Sequence, residues 1–435
     1  MMATYAKKLL DVFRPAVAIA LLWANCAWAQ SGGAPVQSVN TQAAEAHSTN
    51  TTVVDMMRAS ESVVASHPGR DAGPPRGITL RLLTGLGYDD NVFRTESNTS
   101  SDFFWSVRPS IYLNTGLGKH GFLLGYEGAF LRYLDFSNQD YDNHRVFADA
   151  ALDLTRKLDL NLNGEVRLGH DPRGGIGTCI VCSATPDTWR AHRVGAELVV
   201  GRRISRAQII PLIEYSGIRY TNNGQSFRDF DRQDYRLRGR WRFTPRLSGV
   251  AEGRYAIVDH LDPSNGLDRT ETDLLGGIAW EATAKTSGEI LIGTLSQDFD
   301  DPAQESGTNF NWNARVYWAP KPYSKVTMFA RRQSQEDAAG GIGNFLADTV
   351  GGGWRHAFSE RFIFNADLDY TLATYSTGRR DNYLGFQVGV THKLTRWLNV
   401  EAQYRYLTRN SNIPGIDYDN NMLLLSLTVG FEHSL

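Results

Sequence analysis

Apolar and polar residues alternate in many short segments between residue 77 and the C-terminus. Between 235 and 243, aromatic, leucine and glycine residues occupy the odd positions, whereas the even positions from 232 to 242 are mainly arginine. Successive side chains of a β-strand point to opposite faces, so these two sets lie on opposite faces of one strand. An arginine at the lipid-facing midplane of a membrane barrel costs roughly 2–4 kcal/mol. We therefore expect the arginine face to meet water and the other face to meet lipid.

The same alternation recurs at 144–154, 158–168, 362–372 and 398–408, and turn-like stretches divide the rest of this region in the same way. Eight short turns and nine longer polar connections separate the segments. This rhythm predicts an all-β fold, a single antiparallel transmembrane β-barrel of about 18 strands over 77–435. A secreted β-sandwich or β-propeller also shows alternation, but neither explains the regular change between short and long connections.

Four of the short turns share one signature, in which an apolar residue precedes Ser or Thr, a basic residue follows, and a second apolar residue ends the turn. The four are Leu154–Leu158, Phe243–Leu247, Phe358–Phe362 and Leu394–Leu398. The apolar pair is expected to mark the lipid boundary, with the basic residue at the headgroups. An even strand number places both barrel ends at the short-turn side, which is periplasmic in outer-membrane barrels.

The N-terminal 29 residues have the pattern of a secretory signal peptide. Lys7, Lys8 and Arg14 precede an apolar stretch, and Ala27–Ala29 supplies a small-x-small cleavage site. Lipoprotein processing at Cys26 is an alternative. Residues 30–76 are rich in Ser, Ala, Thr and Gly, and we expect a flexible periplasmic segment. The predicted location is the outer membrane of a Gram-negative cell.

The composition gives no sign of a nucleic-acid partner or of an enzyme. The formal net charge is −2, and loss of the signal peptide with its three cations and Asp11 would bring it to about −4. No Gly-x-Ser-x-Gly elbow occurs, and no nucleophile motif lies beside His144, His192 or His356. We therefore expect a protein that is not an enzyme and that needs no cofactor and no metal.

Cys179 and Cys182 are the only cysteines beyond the signal peptide. In an oxidising compartment their spacing favours a disulfide within a loop. A redox-active pair would call for a helix start after a strand, and a zinc site for two further ligands.

The polar faces of seven predicted strands supply the candidate site, a mixed-charge lining of an aqueous lumen. The predicted pore-lining residues are Arg145, Asp149, Asn163, Glu165, Arg167, Arg236, Arg238, Arg240, Arg242, Glu252, Arg254, Asn313, Arg315, Asp367, Asp369, Glu401 and Arg405. An eighteen-stranded barrel is wide enough for such a lumen.

Three stretches resemble a family of outer-membrane β-barrel porins encoded in bacterial exopolysaccharide operons. They are Gly87–Arg94 with Ser101–Phe103, Tyr126–Tyr133 with Asp135, Asp140, Tyr141 and His144, and His170–Gly174. The resemblance extends over most of 77–435 and implies an outer-membrane exit channel for a secreted polysaccharide. Its implied partners are outer-membrane lipid, the polysaccharide cargo and periplasmic polysaccharide-export proteins.

Three functions compete at this point. Polysaccharide export is the leading hypothesis, a general diffusion porin for small hydrophilic solutes is the alternative, and an outer-membrane enzyme is the third. The acidic stretch Tyr88–Asn91 could bind a cation, but Asp and Asn more often stabilise turns. The sequence does not decide whether a long loop such as 171–187 folds into the lumen.

Overall fold

The structure, a computed structural model, describes residues 77–178, 183–202, 205–262, 264, 266–283, 285–336 and 344–434. The predicted signal peptide, the segment 30–76 and both Cys179 and Cys182 lie outside these residues.

Eighteen antiparallel strands make up most of the described chain, and each pairs with its sequence neighbours. The strands are β1 Gly77–Asp89, β2 Asp102–Leu117, β3 His120–Tyr133, β4 Tyr141–Thr155, β5 Leu158–His170, β6 Thr188–Val200, β7 Ala207–Tyr220, β8 Phe230–Thr244, β9 Leu247–His260, β10 Arg269–Thr283, β11 Thr286–Phe299, β12 Gly307–Lys321, β13 Ser324–Glu336, β14 Asn344–Ala357, β15 Phe362–Tyr375, β16 Arg380–Lys393, β17 Leu398–Ser411 and β18 Tyr418–Ser434.

The sheet closes on itself, because β1 pairs with β2 on one side and with β18 on the other. The closing register runs from Gly77 opposite Ser434 to Asp89 opposite Met422. This confirms the predicted barrel of 18 strands. All short turns lie at one end, here named the short-turn rim, and all longer connections lie at the other, the long-loop rim. Closure gives both end strands of the sheet a pairing partner on each side, as a membrane-spanning sheet requires.

Exposed apolar side chains cover one face of every strand, and they are the ones that the alternation assigns to lipid. On β8, Leu237 is 57% exposed and Phe243 is 62% exposed, whereas the arginines between them are not exposed. Five tryptophans contribute to the same outer surface, namely Trp105, Trp241, Trp318, Trp354 and Trp397.

The hydroxyl in the turn signature has a structural role that the sequence pattern alone does not reveal. Thr244 Oγ1 accepts hydrogen bonds from the backbone N–H groups of Arg246 and Leu247, at 3.2 and 3.0 Å. Ser359 and Thr395 bind the backbone of their own turns in the same way. Side-chain acceptors of this kind satisfy turn N–H groups that lack a ladder partner.

The strands continue further toward the long-loop rim than the alternating segments suggest. The segment predicted at 398–408 extends to Ser411, and that predicted at 362–372 extends to Tyr375. Backbone pairing continues there through polar residues that carry no lipid-facing signal.

One seam of the barrel is only partly paired. The ladder between β12 and β13 runs from the short-turn rim to Asn313 opposite Arg331 and stops there, although both strands go on. Beyond that point Arg332 Nη1 donates to the Phe310 carbonyl at 2.9 Å, and its guanidinium lies over the Trp312 ring. Side-chain contacts thus replace part of the missing ladder.

Short 3-10 helices occur at Ser137–Gln139 and Gln225–Arg228, both in connections at the long-loop rim. Within the described ranges, no helix has the length and apolar character needed to cross a bilayer.

Candidate functional site: the inner face and a loop that crosses the mouth

All seventeen predicted lining residues lie on the strand faces opposite the exposed apolar side chains. They come from β4, β5, β8, β9, β12, β15 and β17. Along its strand, each of them alternates with the exposed apolar residues, so it points to the polar face. Most are half-buried among other polar side chains.

Ion pairs that skip strands identify this face as the concave one. Arg238 on β8 pairs with Glu289 on β11, across the two intervening strands β9 and β10. Arg236 on β8 pairs with Glu197 on β6 at 3.1 Å, across the intervening β7. Side chains converge on the inside of a curved sheet and diverge on the outside, so contacts of this reach are possible only inside the barrel.

Acids on neighbouring strands neutralise the arginine run of β8. Arg238 Nη1 lies 3.0 Å from Glu252 on β9 and also contacts Glu289. Arg240 lies 3.7 Å from Glu281 on β10. The predicted arginine-dense wall is therefore largely charge-compensated, because Arg236, Arg238 and Arg240 each have an acidic partner.

The compensated network extends to both sides of β8. Arg254 on β9 reaches Asp234 at 2.8 Å and Asp273 at 3.1 Å. On the other side, Arg145 pairs with Glu165 at 2.6 Å and with Glu127 at 3.2 Å. Because these groups are largely buried, a lone charge left by removing one partner would be costly.

Other predicted lining residues lie outside this network. No ion pair between described residues holds Arg242, Arg315, Asp367 or Asp369. Asn313 is exposed to the interior, whereas Glu401 is buried and accepts a hydrogen bond from Gln403 Nε2 at 2.6 Å.

The connection between β5 and β6 crosses the mouth of the barrel at the long-loop rim. Ile176 in this loop packs against a buried cluster on β14, β15 and β16, which includes Phe345 and Tyr375. Tyr418 at the start of β18 donates a hydrogen bond to the Gly174 carbonyl at 2.7 Å. In the strand order, β14–β16 lie nearly opposite β5 and β6, so the described part of the loop spans the opening.

Polar contacts hold the base and the side of this loop. Asp171 accepts hydrogen bonds from Trp189 Nε1 at 2.9 Å and from Arg228 Nη1 at 2.8 Å. Arg173 donates to the Ser183 carbonyl at 2.6 Å and also contacts Gln139, a residue of the β3–β4 connection. We refer to residues 171–178 as the crossing segment, and its many partners indicate a defined position across the mouth.

A second cluster joins the first and last strands at the same rim. The fully buried Asp89 carboxylate accepts hydrogen bonds from Arg94 at 3.0 Å and from Asn420 Nδ2 at 2.6 Å. Asp90 binds both the backbone and the side-chain amide of Asn421. Burial alone lowers the pKa of Arg94, but the Asp89 carboxylate outweighs it and raises this pKa above its ordinary value. This seam cluster explains the acidic stretch Tyr88–Asn91 as structural.

Within the described residues, no group of three or more His, Cys, Asp or Glu side chains is placed to hold a metal ion. The carboxylates at the seam are already saturated by nitrogen donors.

The predicted lining includes two acidic partners of the arginines, Glu165 and Glu252, but misses others. Glu127, Glu197, Glu271 and Glu289 all have the polar-face parity on strands adjacent to the predicted ones. A search for acids of matching parity on neighbouring strands would have found them. No local signal marks the crossing of Ile176 to the opposite wall.

Releasing the crossing segment should enlarge the opening. The double variant Ile176→Ser with Tyr418→Phe removes the apolar contact and the hydrogen bond that hold the segment to the opposite wall. We expect a larger single-channel conductance in planar bilayers. Tyr406→Phe is the matched control, because Tyr406 loses a similar hydroxyl contact, to Asp419, on the outer face. An unchanged conductance in the double variant would contradict a constricting role.

The sequence matches the model of one protein family over residues 78–431, and that family is described as "Putative beta-barrel porin 2". No curated protein matches the chain.

Solved structures of outer-membrane porins resemble it at low identity. OpdK of Pseudomonas aeruginosa, in a structure with vanillate, is 11% identical, with a TM-score of 0.43 over 82% of this chain and 100% of OpdK. OpdQ of Pseudomonas aeruginosa is 13% identical, with a TM-score of 0.44 over 82% and 98% of the two chains. OccAB3 of Acinetobacter baumannii is 12% identical, with a TM-score of 0.43 over 82% and 99%.

The family match covers the whole closed barrel apart from the outermost residues of β1 and β18. A closed sheet with an apolar outer surface and a charged interior is the architecture that a membrane channel requires. The chain belongs to the family described as "Putative beta-barrel porin 2" and is an outer-membrane β-barrel porin.

Proposed function

We propose that this porin is a passive diffusion channel for small hydrophilic solutes, with the seventeen predicted residues lining its aqueous passage. The observation that carries the proposal is the combination of a polar inner face and a loop fixed across one mouth. The crossing segment narrows the opening, which suits small solutes better than a bulky polymer. In this proposal the short-turn rim faces the periplasm and the long-loop rim faces the cell exterior.

Solute flux in proteoliposomes tests the proposal. Vesicles that contain the purified protein should swell in isotonic solutions of small sugars, and the rate should fall steeply as the solute grows from a monosaccharide to a tetrasaccharide. Protein-free vesicles prepared in the same way are the control. Swelling at the control rate for every sugar would overturn the proposal.

Export of a secreted polysaccharide is the second candidate, and the resemblance at Gly87–Arg94 and His170–Gly174 favours it. Under this hypothesis the partners are the polymer and periplasmic polysaccharide-export proteins, and the crossing segment has to move when polymer passes. Deleting the gene should then abolish polymer at the cell surface. Unchanged surface polymer would remove this candidate and leave the diffusion channel.

A further inference from the structure

The inner face has two halves of different chemistry. From β4 to β11 it carries arginines and acids that pair with one another across strands. From β12 to β17 uncharged amides take a larger share. Amides of this half are Asn311, Asn313, Asn365, Gln387 and Gln403.

Paired charges give the first half little net attraction for ions. A guanidinium beside a carboxylate has almost no net charge, and its field falls off much faster than that of a lone arginine. At physiological ionic strength, the electrolyte screens the remaining electric field of such a pair within about 8 Å. A polyanion could bind to Arg236 or Arg238 only after displacing the carboxylates that pair with them, which are Glu197, Glu252 and Glu289. Separating a buried ion pair costs free energy, so this displacement is unfavourable.

One amide of this half, Asn313, suits hydroxyl groups, whereas the other four are buried. Its side chain offers both donors and an acceptor, so it can exchange hydrogen bonds with a sugar hydroxyl in either direction. Asn313 is exposed to the interior, which leaves it accessible to a passing solute.

Two acids in this half stand apart from the pattern. Asp367 and Asp369 on β15 lie on the inner face beside Gly353 and Gly385, and the glycines leave room for their carboxylates. No hydrogen bond or ion pair between described residues holds either carboxylate. The positive charges of Arg405 and Arg331 attract the Asp369 carboxylate. The Asp367 carboxylate is instead repelled by the neighbouring negative charge of Asp369.

We propose that the lumen is a charge-compensated passage that favours uncharged, hydroxyl-rich cargo and disfavours polyanions. Asp367 and Asp369 are offset on the same face by Arg315, Lys325, Arg331 and Arg355, so we expect no strong selectivity for either ion. The inference rests on the proposed function, since it names the chemical class of the cargo. It applies equally to a small sugar and to a neutral sugar polymer.

Ion selectivity of the full-length protein is the first test. In planar bilayers under a potassium chloride gradient, the reversal potential should give a K⁺/Cl⁻ permeability ratio within about threefold of unity in either direction, as screened and paired charges allow. A ratio outside this range, for either ion, would overturn the proposal.

Three sugars of similar size provide the second test. In proteoliposome swelling, glucose should enter at least as fast as glucosamine and glucuronate, because paired charges attract neither ion. Faster entry of glucuronate than of glucose would contradict a passage that disfavours anions. Absence of both ionic current and glucose entry would instead mean that the proposed channel function itself fails.

A conservative double variant, Asp367→Asn with Asp369→Asn, isolates the two acids. It should lower the K⁺/Cl⁻ ratio while the conductance and the heat-modifiable folded band stay unchanged. Asp298→Asn is the matched control, because Asp298 is an exposed acid on the outer face of β11. A K⁺/Cl⁻ ratio that stays the same in the double variant would refute the place of Asp367 and Asp369 on the inner face of the passage.

Discussion

Replacing Asp89 with alanine is expected to leave much of the protein unable to hold a closed barrel. The carboxylate is fully buried and accepts hydrogen bonds from Arg94 and from Asn420 Nδ2, so it ties the β1–β2 connection to β18. Tyr133 donates a further hydrogen bond to it at 3.2 Å. Removal of one partner of a buried ion pair typically costs about 3–5 kcal/mol, which is a large share of the stability of a protein.

The measurement for Asp89→Ala is the folded fraction after refolding into lipid vesicles, read from heat-modifiable gel migration and from the urea midpoint. Asp142→Asn is the control, since Asp142 pairs with Arg132 at the exposed outer rim and such pairs contribute about 0–1 kcal/mol. If Asp89→Ala folded as well as the control, the seam cluster would have no role in closure.

The second large effect is expected from the arginine run on β8. Changing Arg236, Arg238, Arg240 and Arg242 to alanine removes the guanidinium groups that pair with Glu197, Glu252 and Glu289. Uncompensated carboxylates in an aqueous passage concentrate cations, so the K⁺/Cl⁻ permeability ratio should rise on the order of tenfold. Reversal potentials in planar bilayers measure this change.

Lysine at the same four positions is the control, because it keeps the positive charge while it changes the geometry. The lysine variant should stay close to the unmodified selectivity. A quadruple alanine variant that folds and keeps the original selectivity would show that these residues do not face the conducting path.

The barrel was predictable because one physical rule acts on every strand. Lipid excludes charge from one face, so alternation in stretches such as Tyr235–Phe243 assigns each side chain to a face. The strand number followed from the change between short and long connections. The hydroxyl in turns such as Thr244–Arg246 was visible in sequence, although its bonds to the turn backbone were not.

The electrostatic character of the lumen was only half predictable. The polar face of β8 shows its arginines, but their neutralisation depends on register, which sets Glu252 near Arg238 and brings Glu289 within reach across two strands. Register is a property of the closed sheet, so a single strand does not reveal it.

Contacts between distant parts of the chain were not predictable at all. The bond from Tyr418 to Gly174 joins residues 244 positions apart, and that from Asn420 to Asp89 joins residues 331 apart. A loop of polar residues and glycine has the same local signature whether it extends into solvent or crosses a mouth. The closed barrel brings these positions together.

The most direct test of a water-filled passage compares neighbouring positions on β12. In a background in which all native cysteines are serine, Asn313→Cys places a thiol on the exposed inner face, and Ala314→Cys places one on the outer face. A charged, membrane-impermeant thiol reagent should react at 313 and lower the single-channel current, while 314 in lipid should stay unreactive. Reaction at 314 with none at 313 would contradict the assignment of the two faces and the channel itself.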